Sequence, residues 1–306
     1  MLLVNTKQFD TPVLFLVFNR LDTTKQVFRV IKKIKPKKFY IAADGPHNKS
    51  ELEKTESVRN FILKNIDWKC EVKTLFRDEN LGCGKAVSGA IDWFFKNEEM
   101  GIILEDDCLP NQSFFYFCQE LLTMYAADER VMHISGTNLV SEINFESSYT
   151  FSKNTGIWGW ATWKRAWAKY DLNIINWPKI ETEIDKYVDS KVEKKYFSAC
   201  FNLCFNKKID TWDYQWQFAC LSNKGLSIVP RVNLVKNIGF NEFAAITKDP
   251  NNWKAKLDSF PLNILTHPNK IGVDTNFDKH YSKKIMQQST LVKFFGPIVK
   301  LMRHGD

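Results

Sequence analysis

Glycine and proline are scarce, 13 and 10 in 306 residues, which excludes collagen-like repeats and low-complexity or disordered chains. Neither G-x-G-x-x-G nor G-x-x-x-x-G-K-[ST] occurs, so a dehydrogenase-type phosphate turn and a P-loop are both unsupported. No apolar run reaches the ~18 residues a membrane-spanning helix needs, and no basic, apolar, small-residue leader is visible. The five histidines show no H-E-x-x-H or other ligand spacing, which argues against a zinc site. Seven cysteines are an odd number spread without a framework. They read as reduced thiols, and the protein is expected in the cytoplasm.

What the chain does have is apolar residues, 44% of the total, enough for a sizeable core. Its net charge of +8 suits an anionic partner: nucleic acid, nucleotide phosphates or an acidic membrane surface. The basic residues form no dense cluster with interleaved aromatics, so nucleic acid is not expected.

Pro12-Val-Leu-Phe-Leu-Val-Phe18 is a continuous apolar run, the pattern of a strand buried on both faces. Asp22 is a candidate N-cap for a helix carrying Val27, Val30, Ile31 and Ile34, which Pro36 stops. Phe39–Ala43 reads as a second strand, followed by a helix through Val58, Phe61, Ile62 and Ile66. Val72, Thr74 and Phe76 alternate with polar residues, as near a sheet edge. A helix over Val87–Phe95, a strand over Gly101–Leu104, a Phe-rich helix over 112–126 and a strand over Val131–Ser135 complete the series. Strands separated by helices predict an α/β fold with an open, mostly parallel sheet, Rossmann-like in its first half.

Ligands of such sheets bind outside the carboxyl ends of the strands. Asn19-Arg20, Asp44 and Glu105-Asp106-Asp107 all follow strands, so the topology gathers them into one crevice. Two adjacent aspartates at a strand end suit Mg²⁺ or Mn²⁺, hard ions often held by one or two carboxylates plus substrate phosphate oxygens. Asp107 is the expected metal ligand, Asp106 the contact to ribose and Glu105 the contact to a sugar. Acidic residues after strands are also common turn formers, and Asp44 before Gly45-Pro46 equally fits a turn cap. Arg77 and Lys85 flank a glycine-containing loop and are further candidates for phosphate.

Seven of the ten tryptophans lie between Trp158 and Trp216. Indole faces pack on sugar rings, so Trp158, Trp160 and Trp212 are candidates for holding a glycan acceptor, with a tryptophan-rich core as the alternative. Asp213 is bracketed by aromatics, a setting that raises a carboxylate's pKa and suits a general base, with a structural capping role as the alternative. Cys200 and Cys204, spaced with Phe197 and Phe201, read as helix core.

The ordered set Pro12–Arg20, Ala43-Asp-Gly45, Ile103-Leu-Glu-Asp-Asp107, Phe114-Phe-Tyr-Phe117, Gly156-Ile-Trp-Gly-Trp160, Trp212-Asp213, Pro230 and Gly239 resembles N-acetylglucosaminyltransferase I and its bacterial relatives. The resemblance covers about residues 12–250. It implies a GT-A fold and an inverting transferase working from a nucleoside-diphosphate sugar, with UDP the favoured nucleotide. It further implies Asp107 as metal ligand, Arg20, Asp44, Glu105 and Asp106 as donor contacts, and Asp213 as base. The family carries a second acid where this chain has Tyr214, and a Thr-His pair where Ala245-Ile246 stands. The bacterial relatives imply a glycan or lipid-linked saccharide acceptor and a place in surface polysaccharide synthesis.

The expected organisation is a nucleotide-sugar-binding half over 1–140, an aromatic acceptor half over 141–260 and an extension over 261–306. Leu291–Arg303 mixes apolar residues with Lys293, Lys300 and Arg303, which suits either a docked helix or an anionic membrane surface at the inner face. The competing class is a glycan- or nucleotide-binding protein of the same fold without the chemistry.

Overall fold

The computed structural model describes residues 2–3, 9–240 and 253–287. Strands β1 (Val13–Val17), β2 (Lys38–Ala43), β3 (Glu71–Phe76) and β4 (Met100–Glu105) are mutually parallel, with β1 between β2 and β4 and β3 outside β2. They are joined by the helices α1 (Leu21–Ile34), α2 (Lys49–Asn65) and α3 (Cys83–Phe95). After α4 (Gln112–Met124) come β5 (Val131–Ser135), β6 (Tyr149–Ser152) and β7 (Trp160–Trp163). The helices α5 (Lys191–Phe205) and α6 (Asp213–Ser222) then lead to β8 (Leu226–Pro230).

All eight strands form one sheet in the order β3-β2-β1-β4-β7-β5-β8-β6. β7 is antiparallel to both β4 and β5, and β6 is antiparallel to β8, while β8 runs parallel to β5. The sheet is therefore mixed and mostly parallel, an α/β architecture. Strands from both sides of residue 140 share it.

Alternation along β1 explains the layers. Val13, Phe15 and Val17 pack with Val27 and Phe28 of α1, Val58 and Ile62 of α2 and the phenylalanines of α4. Leu14 and Leu16 point the other way, onto Ala90, Ile91 and Phe94 of α3 and Trp216 of α6. With both faces covered, the strand must be apolar throughout, as its five buried residues are. β3 is half-exposed at the edge, where its alternation puts it. Cys200 and Cys204 are buried on α5 among Trp177, Phe197 and Phe201, as the helix-core reading expects.

One helix start differs from expectation. Arg20, not Asp22, occupies the cap position of α1, and Asp22 sits in the first turn without capping it. The Arg20 carbonyl instead accepts from the Thr23 and Thr24 hydroxyls. Asp22 still favours the positive end of the helix dipole.

Candidate functional site

Because β1, β2 and β4 are adjacent and parallel, their carboxyl ends deliver Phe18–Arg20, Asp44 and Glu105–Asp107 to one edge. The Arg20 guanidinium pairs with both aspartates of the triplet, Nη2 with Asp106 Oδ1 and Nη1 with Asp107 Oδ2 at 3.0 Å. Asp106 is 2% exposed and also accepts from the Phe18 N–H at 3.3 Å, tying β1 to β4. Burial pushes Asp106 up to about 6, and Arg20 opposes that shift and keeps it ionised near neutral pH. Burial works against the Arg20 charge too, but Asp106 and Asp107 more than offset it and hold its pKa above the ordinary value. Glu105 makes no direct pair with Arg20, whose charge opposes its shift only in part. Desolvation, then the charges of Asp107 and Asp106, push it up to about 8.

Asp44 accepts the Leu81 N–H on both carboxylate oxygens at 3.1 Å, and Asn80 donates to the Gly45 carbonyl at 2.7 Å. A Cβ on Gly45 would lie 2.4 Å from the Glu79 backbone. Asp44 thus anchors the loop Arg77–Gly84 beside the crevice, across the chain from its own Gly45-Pro46 turn.

Asp107 is covered from the far side of the chain. The strand Val235–Asn237 pairs with Cys108–Pro110, and the Ile238 N–H donates to the Asp107 carbonyl at 2.8 Å. This ribbon lays Gly239 across the Asp107 side chain, where a Cβ would fall 2.3 Å from Oδ2. Only glycine leaves that space open. The Asp107 side chain is 16% exposed, with Oδ2 held by Arg20 and Oδ1 accepting from the Cys108 thiol at 3.5 Å.

Asp213 opens α6 and faces the same region. Thr211 Oγ1 donates to Asp213 Oδ1, and the Tyr214 N–H donates to the same oxygen at 2.9 Å. Burial raises its pKa, and these two bonds oppose the rise. Its charge is also felt at Glu105, which puts the two carboxylates in one electrostatic neighbourhood. Cys83 reports the same convergence: desolvation, then Glu105, Asp213, Asp210 and Asp44, push its thiol up, although the residue as a whole is exposed. Tyr214 packs toward the α5 cluster, so the pair of acids seen in the resembled family is a single carboxylate here.

The three tryptophans part company. Trp158 is half-buried and meets Phe240 edge-on at 5.6 Å. Trp160 and Trp212 are 0% and 2% exposed and stack on each other at 5.4 Å. Neither presents a ring face to a ligand, so their expected acceptor contacts are corrected to a core role. Trp160 packs further on His133, Trp167 and Trp216. Trp158 stays available because Gly159, at φ 63° and bonded through its carbonyl to the Gly136 N–H at 2.7 Å, turns the chain just before β7.

Sequence reading missed Asp210. Its carboxylate accepts the Gly84 N–H at 2.9 Å at the start of α3, and only Gly82-Cys83-Gly84 hinted that something packs closely there. Ala245-Ile246 and Leu291–Arg303, with its Lys293 and Lys300, lie outside the described residues. Among the described residues no group of three or more His, Cys, Asp or Glu stands ready to hold a metal alone. None of their helices is long and apolar enough to cross a membrane.

No protein-family model matches the chain, and no curated protein matches it. Solved structures do. A mannosyltransferase from Pyrobaculum calidifontis, in complex with GDP-mannose and Mn²⁺, is 10% identical over 71% of this chain and 70% of its own, with a TM-score of 0.39. A cytidylyltransferase from Leptospira borgpetersenii is 12% identical over 69% and 93%, with a TM-score of 0.34. The glycosyltransferase GlyE of Streptococcus pneumoniae is 11% identical over 93% and 63%, with a TM-score of 0.32. Likeness at these scores carries no argument about substrate or mechanism, and none of the three supports the specific resemblance to N-acetylglucosaminyltransferase I.

Proposed function

We propose that the protein is a glycosyltransferase of GT-A type, moving a sugar from a nucleoside-diphosphate donor to a glycan or lipid-linked hydroxyl with inversion. The observation that carries the reading is the pairing of Arg20 with Asp106 and Asp107 at the carboxyl ends of β1 and β4, with Asp213 close enough for its charge to act on Glu105. A UDP-sugar is the favoured donor, following the resemblance in the sequence.

The residues fit a divalent cation. Asp107 offers a hard carboxylate oxygen under the glycine cradle of Gly239, and donor phosphate oxygens would complete the shell. When bound, Mn²⁺ or Mg²⁺ supplies charge stabilisation to the leaving diphosphate. Arg20 supplies a fixed positive charge to the same region, and Asp106 sets its orientation. Glu105, next to Asp106 and Asp107 at the end of β4, can hydrogen-bond a donor hydroxyl. Asp213 takes the acceptor proton, and Trp158 offers an aromatic face for the acceptor sugar.

The deciding test is calorimetric binding of UDP, GDP and CMP, with and without Mn²⁺, to the original protein and to Asp107→Ala. One nucleotide is expected to bind in a metal-dependent way, and the variant to lose the metal-dependent part. Absence of binding by any nucleotide under every metal condition would remove the transferase reading. Gly239→Ala is expected to weaken metal-dependent nucleotide binding about 10- to 100-fold, because its Cβ displaces the Asp107 carboxylate. Unchanged affinity in that variant would show that Asp107 orientation does not matter to the site.

A further inference from the structure

We infer that Asp210 is a positioning residue that latches the Asp213 segment onto the start of α3. Three contacts define the latch. Asp210 Oδ1 accepts the Gly84 N–H at 2.9 Å. A Cβ on Gly82, which sits at φ +79°, would fall 2.4 Å from Asp210 Oδ2. A Cβ on Gly84 would fall 2.7 Å from Asp210 Oδ1 and 2.8 Å from the Thr211 carbonyl. Both glycines flanking Cys83 are therefore needed for the segment to approach.

The physical logic is local. A carboxylate at the first free N–H groups of a 13-residue helix satisfies a donor and meets the positive end of its dipole. The next residue, Thr211, donates its hydroxyl to Asp213 Oδ1, so register set at Asp210 passes directly to the carboxylate of Asp213. The other end of the segment is held by the buried Trp212 and by Gln215, whose side chain donates to the Thr211 carbonyl at 2.8 Å. Trp212 fixes depth and Asp210 fixes the angle at which Asp213 enters the crevice. Asp210 is itself exposed, so this is a role in orientation and not in the core.

The inference rests on Asp213 acting as base, and its test separates the two. Nucleoside diphosphate release from UDP-glucose, UDP-N-acetylglucosamine and GDP-mannose with Mn²⁺ identifies a usable donor. Hydrogen exchange at the amides of residues 211–216 reads the latch independently of activity. Asp210→Ala and Gly84→Ala are each expected to lower kcat about 10- to 100-fold with nucleotide Kd nearly unchanged. Both should speed exchange at 211–216. Asp210→Asn retains an oxygen for the Gly84 N–H and should recover most of kcat. In an Asp213→Asn background neither change should lower kcat further. If Asp213→Asn leaves kcat intact, the base assignment fails. If Asp213→Asn is impaired but Asp210→Ala and Gly84→Ala leave kcat unchanged, or lower it equally in both backgrounds, the latch fails alone. Unchanged exchange at 211–216 in both variants also overturns the latch, even if no donor is turned over.

Discussion

Asp213→Asn is expected to lower kcat by about 10²- to 10⁴-fold while leaving nucleotide affinity nearly unchanged. The carboxamide oxygen can still accept from Thr211 Oγ1 and the Tyr214 N–H, both of which use Oδ1, so α6 should start as before. What disappears is the negative charge and the second oxygen, replaced by an amide group that cannot take a proton. Burial raises the Asp213 pKa, which makes it a stronger base than an exposed carboxylate. The sign of the pH dependence follows. The base must be ionised to act, so kcat in the original protein should fall as pH drops through this raised pKa. The variant should lose that acid limb. Steady-state rates across pH, with nucleotide binding measured by calorimetry, check both parts. A variant that keeps kcat would move the base elsewhere, and one that loses nucleotide binding equally would place Asp213 on the donor side.

The sheet and its crevice were legible because they rest on short-range patterns. The unbroken Val13–Val17 run can only be a strand covered on both faces, and the acidic triplet follows its partner strand without a gap. Parallel neighbours then have to place Arg20, Asp44 and Glu105–Asp107 together. The tryptophans were harder. An indole that packs a core and one that packs a sugar look alike in sequence, and only the sheet order, with β7 inserted between β4 and β5, buries Trp160 and leaves Trp158 at the edge. Contacts distant in sequence were invisible for the same reason. Gly239 over Asp107 and Asp210 on Gly84 are separated by 132 and 126 residues, and no local period encodes either. The arginine cap of α1 was missed because its side chain is committed to the aspartates and its helix-start role falls to the backbone carbonyl.

His133 makes the fold sensitive to acid in a window set by its burial. It lies wholly buried on β5, stacked on Trp160 at 5.2 Å, and its Nδ1 accepts from Trp216 Nε1–H at 3.1 Å. That bond assigns the ring proton to Nε2, which donates to the Gly156 carbonyl at 3.0 Å. A second proton would have to enter at Nδ1, against the indole N–H. Burial lowers the pKa from 6.5 to about 3. The unfolded chain therefore binds a proton below about pH 6.5 that the folded chain refuses until about pH 3. The stability this contributes is fully present above the unfolded value and is lost as pH falls through the window, by about 1.4 kcal/mol per pH unit. The whole span amounts to about 5 kcal/mol. Buried carboxylates with raised pKa values, such as Glu105 and Asp106, act with the opposite sign, so the histidine must be isolated by comparison. In His133→Gln the amide can accept from Trp216 and donate to Gly156 without titrating. Urea unfolding between pH 6.5 and 4 should show a slope shallower by about 1 kcal/mol per unit in that variant. Equal slopes would mean that His133 protonates freely in the folded protein.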